Sequence, residues 1–318
     1  MDIPQMYGAE VIEPNPAGKS AVYKEYGMTE TGMKEDITQL KTWLSKQPHL
    51  PILSGENVDA WLENYLITCK NSLERAKDGL DIYFSLKSLI PEVFMNRDPL
   101  HPGIIKSTEV MALLFLPQPT PDNRRVLLFS HRCLSADHFD PVFAYRRITM
   151  MLDVLLQEGV DYSGIEVVVD TRRCCFAHIT KYNPALLKRA FDLGLKGYPQ
   201  RVHKIHMVNP WSMLETGVAL FKQFMSKKLQ ERMIVHRKIE DLHTHIPKSI
   251  LPSDLSGEGP SMEELNDAWQ EKLISYRQWF LHNDTIKADE SKRVGKCRFG
   301  QMEQTFGIQG SFRKIEVD

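Results

Sequence analysis

Long apolar runs are missing from this chain. The longest, such as Met111–Leu116, are strand-sized, far short of the ~20 residues that a bilayer-spanning helix needs. A dominant charge is missing too. Lys and Arg number 40 against 41 Asp and Glu, and the formal net charge is -1. No wholesale attraction to nucleic acid or to a membrane follows, so any basic function must be a local patch. Cysteine is sparse and odd in number. Cys69, Cys133, Cys174, Cys175 and Cys297 show no framework spacing, which fits a reducing cytosol and not a disulfide scaffold. The opening MDIPQMYGAEVIEPNP has neither a basic start nor an apolar core, so no secretory leader is expected. Asp2 stands where N-myristoylation requires glycine.

Catalytic signatures are absent as well. There is no GxSxG, no phosphate-binding P-loop, no GxGxxG after a strand and no HExxH. Asp170 ends an apolar strand, where α/β enzymes often place acids, but no nucleophile or base accompanies it. Cys174-Cys175-x-x-His178 and His243-x-His245 offer ligand types without a four-ligand set at a usual spacing. No catalytic residue, no metal site and no cofactor are therefore expected.

What is present is an ordinary globular composition, 42% hydrophobic and 25% charged over 318 residues, enough for one large domain or two modest ones. Residues 1–35 are rich in Pro, Gly and Glu and read as a loose arm. Asp36 then reads as the N-cap of a short helix carrying Ile37, Leu40, Trp43 and Leu44, closed by Pro48. Two more helices follow, one with Val58, Trp61, Leu62, Tyr65 and Leu66, the other from about Leu73 to Leu89. After His101-Pro102-Gly103 the period changes. Met111–Leu116 and Val126–His131 are β-rich runs around a turn, Tyr145–Gln157 is helical, and Ile165–Asp170 is a compact strand. Pro184–Lys196 reads as a helix, Lys204–Asn209 as a strand, and Met233–Val235 as one short strand more. Strands alternating with helices predict an α/β sheet with crossover connections.

The most informative stretch is Tyr198–Arg232. Its strand runs into Pro210, and Ser212 with Glu215 forms a Ser-x-x-Glu capping box that starts a helix. Leu214, Val218, Phe221 and Met225 lie on one stripe of that helix, and Lys228 and Arg232 continue it if the helix is unbroken. Such a surface suits a lid over an apolar cavity whose mouth meets anions. An ordinary helix on a sheet produces the same stripe. Ile148, Met151, Leu155, Val167, Val169, Phe176, Ile205 and Met207 supply more apolar side chains than a thin sheet–helix layer needs, and 14 Met residues suit an adaptable lining. Arg201 and His203 alternate and so share a face. With Lys228 and Arg232 they make a candidate anion patch, whose plainer reading is a solvated surface.

These residues resemble the CRAL-TRIO lipid-transfer family, and within it the tocopherol-transfer-like and retinaldehyde-binding-like members of animals. The resemblance spans roughly residues 36–280. LKTWLSKQPHLP and SLERAKDGLDIYFSLKSLIPEVFMNRDP are similar to the family's helical segment. IEVVVDTRRCCFAHITKYNPALLKRAFDL, YPQRVHKIHMVNP, FKQFMSKKLQER and LHTHIPKSILPSDLSGEGPSMEEL match its lipid domain in order and spacing. The ending FGIQGSFRKIEVD is similar to tails of insect members. The resemblance implies a mixed β-sheet with helices on one side forming a lipid pocket, preceded by a small all-helical module. The chain then divides into an arm (1–35), a helical module (36–98), a lipid-binding domain (99–282) and a tail (283–318). A mobile gate is implied at about Trp211–Met225. Ile148, Val167, Val169, Phe176, Ala190, Leu193, Met213, Leu214, Val218 and Phe221 fall at pocket or gate positions. Arg201, His203, Lys228 and Arg232 fall where such members place basic residues for a phosphoinositide.

There are departures. Asn64 and Ile67 stand at the positions of the family's arginines in the helical module, so one cationic contact is expected to be missing. Gln200 replaces an acid found in yeast-type phosphatidylinositol carriers. Asn209-Pro210 is one residue shorter than the family's Asn-x-Pro, and Gln223 replaces a proline, which favours an unbroken helix. The expected function is a cytosolic, monomeric carrier, peripheral at membranes, of one tocopherol-, retinoid- or terpenoid-like molecule, with no nucleic-acid partner. The alternative is a phospholipid-binding sensor that recruits partners and moves little lipid.

Overall fold

A computed structural model describes residues 10–210, 218–219, 221–223 and 225–295. Met33, Ile37, Leu40 and Leu44 recur at three- and four-residue spacing and turn one face of α2 (Glu30–Ser45) into the core. Its cap is Thr29, whose extended backbone lets the hydroxyl accept the Gly32 N–H at 3.1 Å. Asp36, expected as the cap, lies inside the helix. The arm before it is not loose throughout, because α1 (Gly18–Tyr26) forms and buries Val22. α3 (Val58–Thr68) and α4 (Leu73–Leu89) follow as expected, the latter capped by Ser72, and a single turn, α5 (Pro91–Phe94), comes next. Trp61, Tyr65, Tyr83 and Phe84 form the aromatic centre of this module, with ring centroids 5.1–6.3 Å apart in consecutive contacts.

Pro102, read as the boundary to strand structure, instead begins α6 (Pro102–Val110), with His101 capping it. A proline at the first helical position loses no hydrogen bond and brings a helical φ. β1 (Met111–Phe115) runs antiparallel to β2 (Arg125–His131), and β3 (Ile165–Asp170), β4 (Val202–Val208) and β5 (Met233–Val235) add in parallel, in the order β1-β2-β3-β4-β5. α7 (Pro141–Glu158) crosses from β2 to β3. α8 (Phe176–Thr180) and then the expected helix, which runs unbroken as α9 (Pro184–Arg189), a π turn at Ala190–Gly194 and a last turn at Leu195–Gly197, cross from β3 to β4. The fold is the expected mixed sheet with helices behind a helical N-terminal region.

The two faces of the sheet differ. Val126, Leu128, Val168 and Val208 are fully buried on one face. On the other, register aligns Leu127, Val167 and Ile205 in one row and Phe129, Val169 and Met207 in the next. There Phe129, Val167 and Val169 are only partly covered. A sheet face rich in apolar residues and short of cover asks for a further apolar layer.

Two features lock the helical module to the sheet. Gly79 and Gly197 have no side chain where α4 meets the turn before β4. A Cβ on Gly79 would lie 2.6 Å from the Tyr65 hydroxyl, and one on Gly197 2.6 Å from Leu86. Tyr65 donates its hydroxyl hydrogen bond to the Gly197 carbonyl at 2.8 Å across that approach. The second lock is Asp153 of α7, fully buried. It takes Arg97 at 2.5 Å and accepts hydrogen bonds from the Tyr83 and Tyr198 hydroxyls at 2.8 and 3.0 Å. Beyond the helix Arg277–Asn283, the segment expected to begin a tail turns back onto α4. Ala288 N–H bonds the Phe84 carbonyl at 2.9 Å, and Arg293 forks onto Asp81 at 2.8 and 2.9 Å.

Candidate functional site

Of the expected lining residues, Ile148, Val167, Val169, Ala190, Val218 and Phe221 are all partly buried. Ile205 and Met207 lie in the same rows but keep less than a tenth of their surface, as does Leu193. Met213 and Leu214, like the capping box of Ser212 and Glu215, lie outside the described residues. Three expectations are corrected. Met151 and Leu155 are sealed in the side-chain core at 0% and 1% exposure, leaving no surface for a ligand. Phe176 opens α8 and stands 49% exposed, turned outward and not into an enclosed space. Phe129, Tyr145 and Tyr182, not named from sequence, are also partly buried beside these residues, and Tyr182 meets Phe221 edge-on at 5.0 Å. Phe129 was legible from its alternation with Leu127. Tyr182 sits in a polar loop and carried no periodic signal.

A groove of about 490 Å³ lies between the helical module and the sheet. Among the described residues six cations line it, Lys70, Arg75, Lys196, Arg201, Lys228 and Arg232, with Asp78 the single carboxylate. Lys70 sits on a tight turn after α3, where it and Asn71 both adopt φ of 56°. Its ammonium is pushed below the ordinary lysine value by burial, and further by Arg201, Arg75, Lys228 and Arg232. That mutual repulsion is the electrostatic mark of several cations sharing one space. Arg201 is partly neutralised by Glu25 of α1 at 2.8 Å, and Arg232 donates to the Val202 carbonyl.

The groove differs from the patch read from sequence. His203 is not in it. A register irregularity between β3 and β4 separates His203 from Arg201, and its ring lies against Gly164, where a Cβ would come within 2.6 Å. Burial, with Arg124 and Arg201 nearby, holds His203 down to about 4, so it is neutral. The helix does not run unbroken from Val218 to Arg232. Helical residues end at Lys222, Ser226 is extended at ψ 150°, and its hydroxyl caps a new turn, Lys227–Gln230, by accepting from Leu229 N–H at 3.3 Å. Lys228 and Arg232 reach the groove from this second turn. Neither Asn64 nor Ile67 brings a cation to the groove. Asn64 is a structural clamp instead, its amide bonding the Leu156 carbonyl at 2.9 Å and accepting Val160 N–H at 3.0 Å, and Ile67 is core. Lys70 and Arg75 supply positive charge from the same module. Among the described residues no three His, Cys, Asp or Glu side chains are arranged to hold a metal ion. No helix among them is long and apolar enough to cross a membrane.

Comparison with known proteins divides the chain where the groove does. Residues 29–104 match a family described as Pinta-like, UBA domain. The alpha-tocopherol transfer protein-like proteins of Homo sapiens and Mus musculus are each 26% identical over 254 residues, 77% of this chain and 71% of theirs. The crystal structure of Sfh5 has a TM-score of 0.47 at 13% identity, covering 86% of this chain and 98% of that one. Residues 110–257, which hold the whole five-stranded sheet with its half-covered face, match the CRAL/TRIO domain, and the chain belongs to the CRAL-TRIO family of lipid-binding and lipid-transfer proteins.

Proposed function

We propose that this protein encloses one apolar molecule between the uncovered sheet face and the segment around Val218 and Phe221, and exchanges it at membranes. The cargo class is tocopherol-, retinoid- or terpenoid-like. Burial of ligand surface at ~25 cal/mol per Å² supplies affinity with no covalent step, so the activity is carriage and not catalysis. The carrier works as a monomer in the cytoplasm and touches membranes peripherally. Docking uses the groove, which receives a multiply phosphorylated lipid headgroup such as a phosphoinositide. The observation that supports this docking is the set of cations repelling one another around Lys70. A polyanion relieves that repulsion, with guanidinium forks and ammonium point charges both suited to phosphate. Leu195, 42% exposed on the groove lining, adds an apolar contact at the membrane surface.

The test is transfer of a fluorescent tocopherol or retinoid between vesicles with and without a bisphosphorylated inositol lipid. Lys228→Ala with Arg232→Ala is expected to weaken binding to the phosphoinositide vesicles by roughly tenfold or more, equivalent to about 1.4 kcal/mol or more. Unchanged binding removes the docking role. A protein that retains its lipid yet moves little of it between vesicles is a sensor and not a carrier.

A further inference from the structure

One cation of the groove already holds an anion. Arg201 donates through Nη1 to Oε1 of Glu25, on α1, at 2.8 Å. Arg124, just before β2, forks onto the same carboxylate, Nη2 to Oε1 at 3.3 Å and Nη1 to Oε2 at 3.1 Å. Two guanidinium groups from segments far apart in the chain thus converge on one oxygen. A phosphate in its place could reach both, since guanidinium forks suit phosphate as well as carboxylate. Burial would raise Glu25, but a Ser163 hydrogen bond, Arg124 and Arg201 hold it below the ordinary carboxylate value, so it is an anion at neutral pH. His203, held neutral beside the arginines, adds no charge.

Arg201 ties this arrangement to the groove. It lines the groove, and of the charges that lower Lys70 its own acts most strongly. Among the described residues Arg201 Nε finds no hydrogen-bond partner, so the guanidinium has a donor that Glu25 does not use. Glu25, Arg201 and Arg124 keep 33%, 29% and 13% of their side-chain surface, enough for an incoming anion to reach them. The backbone on both sides is pinned. The Tyr26 hydroxyl donates to the Ser163 carbonyl at 2.5 Å, the Tyr23 hydroxyl to Glu63 at 2.5 Å, and the Arg201 carbonyl accepts Ile165 N–H at 2.8 Å. Only the Glu25 side chain has to swing for the arginines to change partner. A tethered carboxylate acts at high effective concentration, which any competing anion must overcome. The carboxylate carries a single negative charge, whereas a phosphate monoester carries about two.

We propose that Arg124 and Arg201 form a further phosphate subsite at the edge of the groove, that Glu25 holds it as an internal competitor, and that a phosphate monoester of the headgroup displaces the carboxylate. The proposal rests on the docking reading of the groove. It gives α1 a role in docking, because Glu25 sets how strongly an anion must bind before Arg201 is released to it.

The experiment is equilibrium binding to phosphatidylcholine vesicles that carry a bisphosphorylated inositol lipid. Glu25→Gln keeps the shape of the side chain and removes its charge. It is expected to tighten binding by about threefold or more, since it frees both arginines. Adding Arg124→Ala to Glu25→Gln is expected to cancel most of that gain. Glu35→Gln, the same charge change at an exposed position of α2, is expected to leave binding unaltered. Unchanged or weaker binding by Glu25→Gln, a gain that survives Arg124→Ala, or an equal gain from Glu35→Gln overturns the subsite. Where the wild-type protein binds the vesicles, each of those results leaves the docking reading standing. The same titration with a soluble inositol bisphosphate separates the sources of phosphate. A gain on the vesicles assigns the subsite to lipid. If neither protein binds the vesicles, the docking reading fails. The subsite then stands only on a gain with the soluble compound, and without that gain it falls too.

Discussion

Asp153 is a residue on which three chain segments converge, through Tyr83, Arg97 and Tyr198. Arg97 lies against it at 1% exposure, and Arg97 also holds Asp284 at 3.2 Å. Burial alone would depress the guanidinium, but Asp153, Tyr198 and Asp284 raise it above its ordinary value. Removing one member of a buried pair strands the other. Asp153→Ala is therefore expected to cost about 3–5 kcal/mol in denaturant unfolding, well above a surface Asp→Ala such as Asp122→Ala. Gly164 acts by its backbone. Its φ is 150°, and an added Cβ would lie 2.5 Å from the Arg201 carbonyl. Gly164→Ala is expected to cost about 1–3 kcal/mol and to shift Arg201 out of the groove, measurable as lost stability together with weaker phosphoinositide binding. At this scale the sequence was uneven. Val167 and Val169 were legible from the apolar strand that holds them and from the family resemblance. Lys70 and Arg75 were not singled out from sequence, since it is the fold that puts Lys70, on its turn at φ of 56°, in one groove with residues more than a hundred positions away.

Among the elements, β4 and the segments that follow β5 bring together His206, His236 and His245 at the sheet edge. His206 lies 2.8 Å from His236 through Nδ1 and 3.0 Å from Glu166 through Nε2. His245 stacks near both, with Lys204 at 3.2 Å from it and Asp241 as a further carboxylate acting on His236. Burial first, then His206 and His245, hold His236 down to about 4. A histidine lowered in the fold contributes stability that is complete above its unfolded value near 6.5. That contribution falls away as pH drops from there toward 4, because the unfolded chain takes up the proton first. Burial would raise Glu166, but its hydrogen bond and charge contact with His206 hold it below its ordinary value. It therefore acts in the same direction below its unfolded value near 4.3. The melting temperature is expected to fall steadily from pH 6.5 to 4, and less steeply in His236→Gln. An unchanged slope in that variant would show that the edge histidines are not responsible. The break at Ser226 is the other element-scale feature. Ser226→Ala should cost about 1 kcal/mol locally, seen as faster amide exchange over Lys227–Gln230, and should loosen Lys228 in the groove. Apolar periodicity carried the stripe on through this point, because spacing alone does not register a single extended residue.

The whole molecule joins two sequence-separated units across the groove. Lys70 and Arg75 come from the helical module, while Lys196, Arg201, Lys228 and Arg232 come from the sheet domain. If both units serve one anion, Lys70→Ala with Arg75→Ala weakens phosphoinositide-vesicle binding about as much as the Lys228/Arg232 double substitution, and both effects fade with added salt. Neutral effects from the helical pair would confine the anion to the sheet side. The segment through Arg293 bears on the same geometry. Its fork onto Asp81 and Glu290 holds the chain after residue 283 against α4. Arg293→Ala is expected to lower stability by about 1–2 kcal/mol without changing lipid transfer between vesicles, checked by denaturation alongside the transfer assay.

Local chemistry determined the parts. Apolar periodicity and turn residues set α3, α4, β1, β2, β3 and β5 close to their final bounds, and the family followed from motifs in order. These depend on residues within a few positions of one another, where spacing translates directly into a face or a period. Only the tertiary structure decided which residues keep an unfilled surface. It separated Val167 and Val169 from Met151 and Leu155, removed His203 from the cations and added Lys70 and Arg75, and set Glu25 of α1 on Arg124 and Arg201. Each of those outcomes depends on distances between segments far apart in the chain, and on charges and hydrogen bonds that exist only once those segments meet.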